Sequence, residues 1–327
     1  GQEFILESIQ SILNQTYKNL ELIIIDDGSI DNTYQIISSQ TDPRITIIRQ
    51  ENIGLAKSLN KGIRLSKSSL IARQDADDLS HPERIEKQVR YMNENITCDL
   101  LGTWAKVLEE KNSSFSYLIH PTTSIGCKIS LLFDCCFTHS SVMIRRTILD
   151  KVGLYSEDSN RQPPEDYDLW SRIAIHSEVS NLPEVLVQYR KRASSMSFGK
   201  PFELRQNAVN ISKDNISFWS DSIIDFKAAL TIAEIYHLLP DLTYPDFSFT
   251  RLASVLKRAF ESISEGELSD NLLKELNYRI FKLKIKWILN HSILHKVGFI
   301  FISFLNFLKY AFFKSKFLSD FHFLRTS

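Results

Sequence analysis

Carboxylates follow two short apolar segments of the sequence, at the points where each segment ends. The segments are residues 22–25 and 70–74, and the carboxylates after them are Asp26, Asp27, Asp75, Asp77 and Asp78. In an open α/β sheet, ligands bind outside the carboxyl ends of the strands. An Asp-x-Asp there can bring two carboxylates onto one hard divalent cation, which prefers oxygen ligands and leaves positions for phosphate oxygens. The pattern therefore predicts a site for a divalent cation and a diphosphate.

Two other interpretations of the second acidic segment stay open at this point. Acidic residues also stabilise helix N-termini, and Ser80-His81-Pro82 favours a helix start, although capping does not require three acids in four positions. A phosphatase with an aspartyl nucleophile also has Asp-x-Asp after a strand. A dinucleotide-dependent oxidoreductase is disfavoured, because no G-x-G-x-x-G motif follows any predicted strand.

Alternating strands and helices are predicted to position these carboxylates. Short β-branched runs indicate buried parallel strands, and apolar residues at helical spacing indicate the helices between them. The strands are predicted at residues 22–25, 45–49, 70–74, 100–107, 141–145 and 185–189, and the helices at 3–14, 31–38, 55–65, after a cap at Ser80, and 165–176. This order predicts an α/β fold with a doubly wound, mostly parallel sheet.

The character of the sequence changes near residue 197. Beyond it, apolar residues follow helical spacing and no convincing strand is found. We therefore predict a first domain over residues 1–197 and a helical C-terminal region over residues 198–327.

Charge and aromatic residues are unevenly distributed along the 327 residues. Lys plus Arg and Asp plus Glu both number 39, so the overall charge gives no reason to expect nucleic acid as a partner. Residues 281–327, however, hold eight Lys or Arg, one acid and ten of the 21 Phe. This composition predicts a tail at an anionic membrane surface, on the cytoplasmic inner face of the cell membrane. Residues 297–313 fall short of the roughly 20 apolar residues of a span, which favours an interfacial helix.

Four segments in order make residues 1 to about 195 closely resemble family 2 glycosyltransferases of bacterial capsule, exopolysaccharide or lipopolysaccharide synthesis. The segments are SIQSILNQTY at 8–17, ELIIIDDGS at 21–29, NIGL at 52–55 with NKG at 60–62, and DADD at 75–78. The resemblance implies the glycosyltransferase A fold and a nucleotide-sugar donor, with a UDP-sugar favoured. It also implies transfer to a glycan or lipid-linked acceptor.

The resemblance assigns donor-side roles to individual residues. Asp27 would accept a hydrogen bond from the nucleotide base, and Asp75 would meet the ribose or the sugar. Asp77 would hold Mg²⁺ or Mn²⁺ against the diphosphate. Lys57 stands where the family often carries a basic residue near the donor, although a solvated helix lysine is an equally good interpretation.

The acceptor-side motif of the family is matched by PPEDYDLW at residues 163–170. The resemblance implies that Asp166 is the catalytic base. A sugar hydroxyl is a poor nucleophile until a carboxylate takes its proton, and a positioned base contributes about 10²–10⁴-fold. The same residues also suit the first turn of a helix after Pro164, and that structural interpretation stays open.

Three further predictions come from the resemblance or from aromatic side chains. His139 resembles a residue that lines the acceptor and sugar pocket, although a lone histidine is as often structural. Arg192 stands where relatives frequently have a histidine, so a contact with the diphosphate would be cationic. Trp104 and Trp170 are candidates for stacking on sugar rings or for the core.

Taken together, the resemblance implies a metal-dependent inverting glycosyltransferase. The family opens with a strand that has no counterpart here, so we expect an N-terminally truncated sheet with an unpaired edge. This departure keeps a second hypothesis open, a non-catalytic sugar-nucleotide-binding or scaffold subunit of a membrane glycan assembly. A phosphatase or nucleotidyltransferase on a similar sheet is a third.

Overall fold

The computed structural model describes residues 1–109, 115–191, 201–221, 226–237 and 248–291. The strands are β1 (Leu22–Asp27), β2 (Ile45–Gln50), β3 (Leu70–Ala72), β4 (Leu79–Ser80), β5 (Cys98–Glu109), β6 (Phe115–Leu118), β7 (Met143–Arg145) and β8 (Glu178–Lys191). The helices are α1 (Ile5–Leu13), α2 (Thr33–Ser38), α3 (Leu55–Leu65), α4 (Arg84–Glu94), α5 (Ser124–Leu131), α6 (Arg146–Val152), α7 (Glu165–His176), α8 (Pro201–Trp219), α9 (Phe226–His237), α10 (Phe249–Ile263) and α11 (Asp270–His291).

The predicted α/β class and helical C-terminal region are confirmed, and the sheet is mixed. Strands β1 and β2 pair in parallel, as do β5 and β8, which form the longest ladder. The larger sheet has the order β3-β7-β5-β8-β4, and β6 pairs with β5. The pairings of β3 with β7, β4 with β8, and β5 with both β6 and β7 are antiparallel. An apolar pattern can indicate that a strand is buried, but it does not show whether the strand runs parallel or antiparallel to its neighbour.

The strand pairings do not test the prediction that an additional inner strand belongs to this sheet, and that prediction stands. Among the described strands, β1 is hydrogen-bonded to β2 and β3 is hydrogen-bonded to β7. Each of these two strands therefore has one edge without a described strand partner.

The predicted helix cap at Ser80 is wrong. Ser80 lies in β4, where it is paired with Val187 of β8, and its hydroxyl donates to Gln74 Oε1 at 2.8 Å. Helix α4 begins four residues later, after Glu83. Tertiary pairing with β8 overrides the local preference of serine for a helix N-terminus.

The two largest apolar clusters among the described residues lie around α7 and among the C-terminal helices. One surrounds α7, where Trp170 is fully buried, so Trp170 is a core residue and does not stack on a sugar. The other joins the C-terminal helices to α5 and to Leu132 and Phe133. Burial of apolar surface stabilises a fold by about 25 cal/mol per Å². This second core therefore holds the C-terminal helices against α5 and the residues that follow it.

The predicted membrane tail falls largely on residues 292–327, which lie outside the described residues, as does the predicted interfacial helix at 297–313. Among the described helices, none combines the length and the apolar character that a membrane-spanning segment requires.

Candidate active site

Three carboxylates converge on the loop between β3 and β4. Ligand atoms of Asp75, Asp77 and Asp78 all lie within 4.8 Å of one another. Asp78 is buried: its Oδ1 accepts the backbone N–H of Arg190 at 2.8 Å, and its Oδ2 has no hydrogen-bond partner. A buried carboxylate oxygen without a donor is costly, and an all-oxygen set with one such atom fits a hard divalent cation.

The pKa of Asp78 reflects its burial beside other carboxylates. Burial, and after it the charge of Asp75, raises the pKa of Asp78 to about 7. Three carboxylates at this spacing repel one another, and a cation among them would relieve that repulsion.

Arg73 holds the first of these carboxylates. Its guanidinium binds both oxygens of Asp75 and donates to Ser140 Oγ at 3.0 Å, and Ser140 Oγ donates to Asp75 Oδ2 at 2.8 Å. Burial alone would lower the pKa of Arg73, but the Asp75 carboxylate and further negative groups raise it above its ordinary value. Arg73 is therefore a buried, permanently charged clamp on Asp75.

A second arginine holds the loop from the other side. Arg190 Nη1 donates to the backbone oxygen of Asp77 at 3.1 Å, and Nη2 donates to Glu7 Oε2 at 2.7 Å. Arg190, two residues before Arg192, thus places a guanidinium against the acidic loop itself. Arg192 itself lies outside the described residues.

Asp27, at the end of β1, is bound by neighbouring donors. It accepts hydrogen bonds from Gln50 Nε2 at 2.8 Å, Ile53 N at 2.9 Å and Gly54 N at 3.0 Å. Burial alone would raise the pKa of Asp27, but these hydrogen bonds outweigh burial and lower it. Asp27 is therefore an anion that fixes the turn into α3. Lys57 lies exposed in the first turn of that helix.

Asp166 is the second residue of α7. Its Oδ1 accepts the backbone N–H of Tyr167 at 2.8 Å, and its Oδ2 is 3.9 Å from Cys135 Sγ. Burial, and after it the adjacent charge of Glu165, raises the pKa of Asp166 to about 7. A carboxylate with a pKa near neutrality can take up a proton during a reaction and release it afterwards.

His139 lies beside this pair of carboxylates. Its Nε2 is 2.9 Å from the Tyr155 hydroxyl, and its Nδ1 is 3.8 Å from Glu165 Oε1. Its ring meets Trp170 edge to face at 5.9 Å between centroids. Burial, and after it the charge of Arg73, lowers the pKa of His139 well below its ordinary value. His139 is therefore neutral and does not act as a cationic partner for the carboxylates.

A short 3₁₀ turn connects the two acidic groups. His139 and Ser140 are adjacent in the turn His139–Ser141; Ser140 binds Asp75, and His139 contacts Glu165. The charge of Arg73 acts across the same gap, where it opposes the burial that raises the pKa values of Glu165 and Asp166. The carboxylates predicted to serve the donor and the acceptor thus belong to one neighbourhood. Asp27 and Lys57 lie outside this chain of contacts.

Comparison with known proteins decides the family. The model of glycosyl transferase family 2 matches residues 2–153. A glycosyltransferase of Haemophilus influenzae is 31% identical over 316 residues, which cover 92% of this chain and 95% of the relative. This chain belongs to glycosyltransferase family 2.

Two further comparisons place this family 2 glycosyltransferase among its relatives. The O-antigen biosynthesis glycosyltransferase WbnJ of Escherichia coli is 37% identical over 191 residues, which cover 56% of this chain and 72% of the relative. The crystal structure of S. aureus TarS 1-349 in complex with UDP-GlcNAc is similar in fold, with a TM-score of 0.57 and 16% identity over 88% of this chain and 86% of that chain. The glycosyltransferase A fold that the sequence predicted is thereby confirmed.

Several residues of this glycosyltransferase's site were not found from the sequence. They are Arg73, Asp78, Ser140, Glu165 and Arg190. The sequence predicts the acidic cluster that contains Asp78 but assigns this residue no separate role. Arg73 stands two residues before Asp75, at a spacing that lets two side chains at a strand end meet, and this was the one usable signal. The contacts of Ser140 and Arg190 join residues more than sixty positions apart, which no local pattern reveals.

Proposed function

We propose that this family 2 glycosyltransferase is metal-dependent and inverting, and that it moves a sugar from a UDP-sugar to a glycan or lipid-linked acceptor in the synthesis of a cell-surface polysaccharide. The observation that carries the proposal is the chain of contacts from Asp75 through Ser140 and His139 to Glu165, the neighbour of Asp166. These contacts support a binding position for the nucleotide-sugar donor between the acidic loop and Asp166, the carboxylate that accepts the proton.

The donor side would hold Mg²⁺ or Mn²⁺ through Asp77, with Asp75 and Asp78 beside it. When bound, such a cation supplies positive charge that stabilises the departing diphosphate. Arg73 fixes the position of Asp75, and Arg190 fixes the backbone of the loop at Asp77. These arginines keep the loop in one shape while its carboxylates face the donor.

The acceptor side would supply the base. Asp166 takes the proton of the acceptor hydroxyl while the hydroxyl oxygen bonds to the anomeric carbon of the donor sugar. The bond from that carbon to the diphosphate oxygen breaks on the opposite face. One displacement of this kind inverts the anomeric configuration, and the pKa of Asp166, about 7, suits proton uptake near neutral pH.

The acceptor class is supported by relatives and by composition. One relative, WbnJ, is named as a glycosyltransferase of O-antigen biosynthesis. The basic, Phe-rich composition of residues 281–327 supports a peripheral position at the inner face of the cell membrane. The full chain should therefore bind vesicles of phosphatidylglycerol, and a chain ending at residue 291, which keeps all of α11, should bind them more weakly; equal binding by both would refute the membrane contact.

The proposed reaction is tested by product analysis with Asp77→Ala and Asp166→Asn variants. Wild-type protein with UDP-sugars, Mn²⁺ and membrane glycolipid acceptors should yield a lengthened glycan of inverted anomeric configuration and UDP. Both variants should lose most transfer. Equal transfer by all three proteins would refute the assignment of these residues, and release of inorganic phosphate or of a new nucleotide-sugar in place of a glycan would refute the reaction.

A further inference from the structure

Two aromatic side chains lie exposed on β6. Phe115 is 57% exposed and Tyr117 is 51% exposed, although both are large apolar residues. They alternate along the strand, so both project from the same face of the sheet, and their ring centroids are 5.8 Å apart. Exposed apolar groups that cluster in this way mark binding surfaces more often than isolated ones do.

A cation borders the aromatic pair. Lys106 of β5 is directly opposite Tyr117 in the antiparallel ladder, and its Nζ lies 4.4 Å from the centroid of the Phe115 ring. The pair therefore presents ring surface beside an ammonium group that can donate hydrogen bonds. We call Phe115, Tyr117 and Lys106 the aromatic platform.

The platform is continuous with the candidate active site on the donor side. Leu108 of β5 is opposite both Phe115 of β6 and Arg190 of β8. Residues opposite one another in neighbouring strands project from one face, so Phe115, Leu108 and Arg190 form a row across the sheet. Arg190 ends this row at the backbone oxygen of Asp77.

The platform also leads to the acceptor side. The chain leaves β6 and reaches His120, whose Nε2 is 3.2 Å from Thr138 Oγ1, one residue before His139. The backbone oxygen of His120 accepts the indole N–H of Trp104 at 2.9 Å, which fixes the end of this segment. The strand that carries the platform thus leads directly to a residue that contacts Thr138, the neighbour of His139.

We propose that the aromatic platform binds sugar units of the acceptor glycan beyond the unit that reacts. The C–H bonds of a pyranose ring pack well against an aromatic face, and Lys106 can donate to a hydroxyl or carboxylate of the same sugar. The inference rests on the proposed function in taking the acceptor to be a glycan. Continuity with Arg190 and with His120 favours the enzyme's own substrate over a lipid surface or a second copy of the chain.

Binding is measured by saturation-transfer NMR with chitotetraose, cellotetraose and maltotetraose as probes. The wild type should bind at least one of them, with saturation strongest at the C–H protons of the sugar rings. The double variant Phe115→Ala/Tyr117→Ala should bind it at least fivefold more weakly, and Tyr117→Trp should retain binding. Phe202→Ala, which removes a 64% exposed phenylalanine from α8, is the matched control and should bind as the wild type does. Thermal unfolding and UDP binding check that each variant is folded.

The outcomes separate this inference from the proposed function. Equal binding by the wild type and the double variant, or no binding by the wild type, overturns the platform even where transfer is observed. Weaker binding by the double variant alone supports it even where no transfer product forms. If the double variant instead loses binding to phosphatidylglycerol vesicles, or if the wild type dimerises through this face in sedimentation experiments, the platform is a lipid or protein contact and the inference is wrong.

Discussion

The two acidic groups of the site differ in their positive partners. On the loop between β3 and β4, Asp75 is bound by the guanidinium of Arg73. At the start of α7, Glu165 and Asp166 have no arginine or lysine within ion-pair distance among the described residues. His139, which is 3.8 Å from Glu165, is neutral, and the charge of Arg73 acts on both carboxylates from beyond that distance. Asp75 therefore has a buried cation bound to it, whereas Asp166 has none and, like the buried Asp78 of the first group, has its pKa raised to about 7.

The contrast follows from electrostatics. A guanidinium against a carboxylate favours the ionised form, whereas burial without a cation favours the protonated form. Holding a diphosphate requires fixed charge, and taking a proton from a hydroxyl requires a carboxylate whose pKa is near the working pH. Adjacent residues of one 3₁₀ turn keep both kinds of carboxylate in a single neighbourhood.

The largest expected effect is that of Asp166→Asn on turnover. Loss of the proton acceptor should lower kcat by about 10²–10⁴-fold. The Kd for the donor should change less than about twofold, because the variant leaves the acidic loop intact and positioning of the donor does not depend on the base. Steady-state transfer kinetics and donor titration measure the two quantities.

Asp150→Asn is the control for this variant, because Asp150 is exposed in α6. It should transfer as the wild type does. A kcat for Asp166→Asn within threefold of the wild type would show that another group takes the proton, and the contrast between the two acidic groups would lose its functional meaning.

The variant Arg73→Gln should test the paired group by removing its cation. Breaking a buried ion pair costs about 3–5 kcal/mol of folding free energy. The Asp75 side chain is 32% exposed, so solvent screening should reduce the loss to about 2–3 kcal/mol. Urea denaturation of the donor-free protein measures it. Arg90→Gln, which changes an exposed arginine of α4, should cost less than about 0.5 kcal/mol.

A double-mutant cycle sharpens this test. Adding Asp75→Asn to Arg73→Gln removes the carboxylate that was left unpaired and should recover part of the lost stability. If the losses from the two single variants simply add, Arg73 does not stabilise the fold through Asp75, and the donor side is not the electrostatically paired group described above.

A pH dependence should distinguish the unpaired group. Asp166 acts as a base only when it is deprotonated, and burial raises its pKa to about 7. The value of kcat/KM for transfer should therefore rise about tenfold per pH unit below pH 7 and level off above it. In Asp166→Asn the acidic limb should be shallower than in the wild type, and what remains of it belongs to Asp78, whose pKa burial also raises to about 7. A wild-type profile that is already flat at pH 5 would contradict the raised pKa.

The sequence was sufficient for the elements that carry local signals. Predicted helices at 55–65 and 165–176 coincide with α3 and α7, because a glycine, Gly54, and a proline, Pro164, directly precede them and are residue types that favour a helix start. The acidic motifs predict Asp75, Asp77 and Asp166 as site residues, and all three lie in the connected neighbourhood.

Other features depend on contacts between distant segments and were not predictable. Arg84 is a charged residue that a pattern assigns to the surface, yet it is fully buried and donates to Gln74, Ser80 and the backbone of Arg73. Its burial, followed by repulsion from Arg73, lowers its pKa to about 9. The role of Ser80 in β4 follows from the same network, since its hydroxyl is held by Gln74 and Arg84 rather than by a helix.

The smallest expected effect is that of Lys57→Ala, which tests whether the donor side uses a cation beyond Arg73 and Arg190. Lys57 is exposed and lies outside the connected neighbourhood. An exposed charge contributes about 0.3–1 kcal/mol even at favourable positions, so the donor KM should rise by no more than a few-fold and kcat should not change. Lys67→Ala, at another exposed lysine, gives the baseline. A rise of more than tenfold in donor KM for Lys57→Ala alone would show that the donor closes onto α3, and the positive charge that holds the diphosphate would then not be confined to the acidic loop.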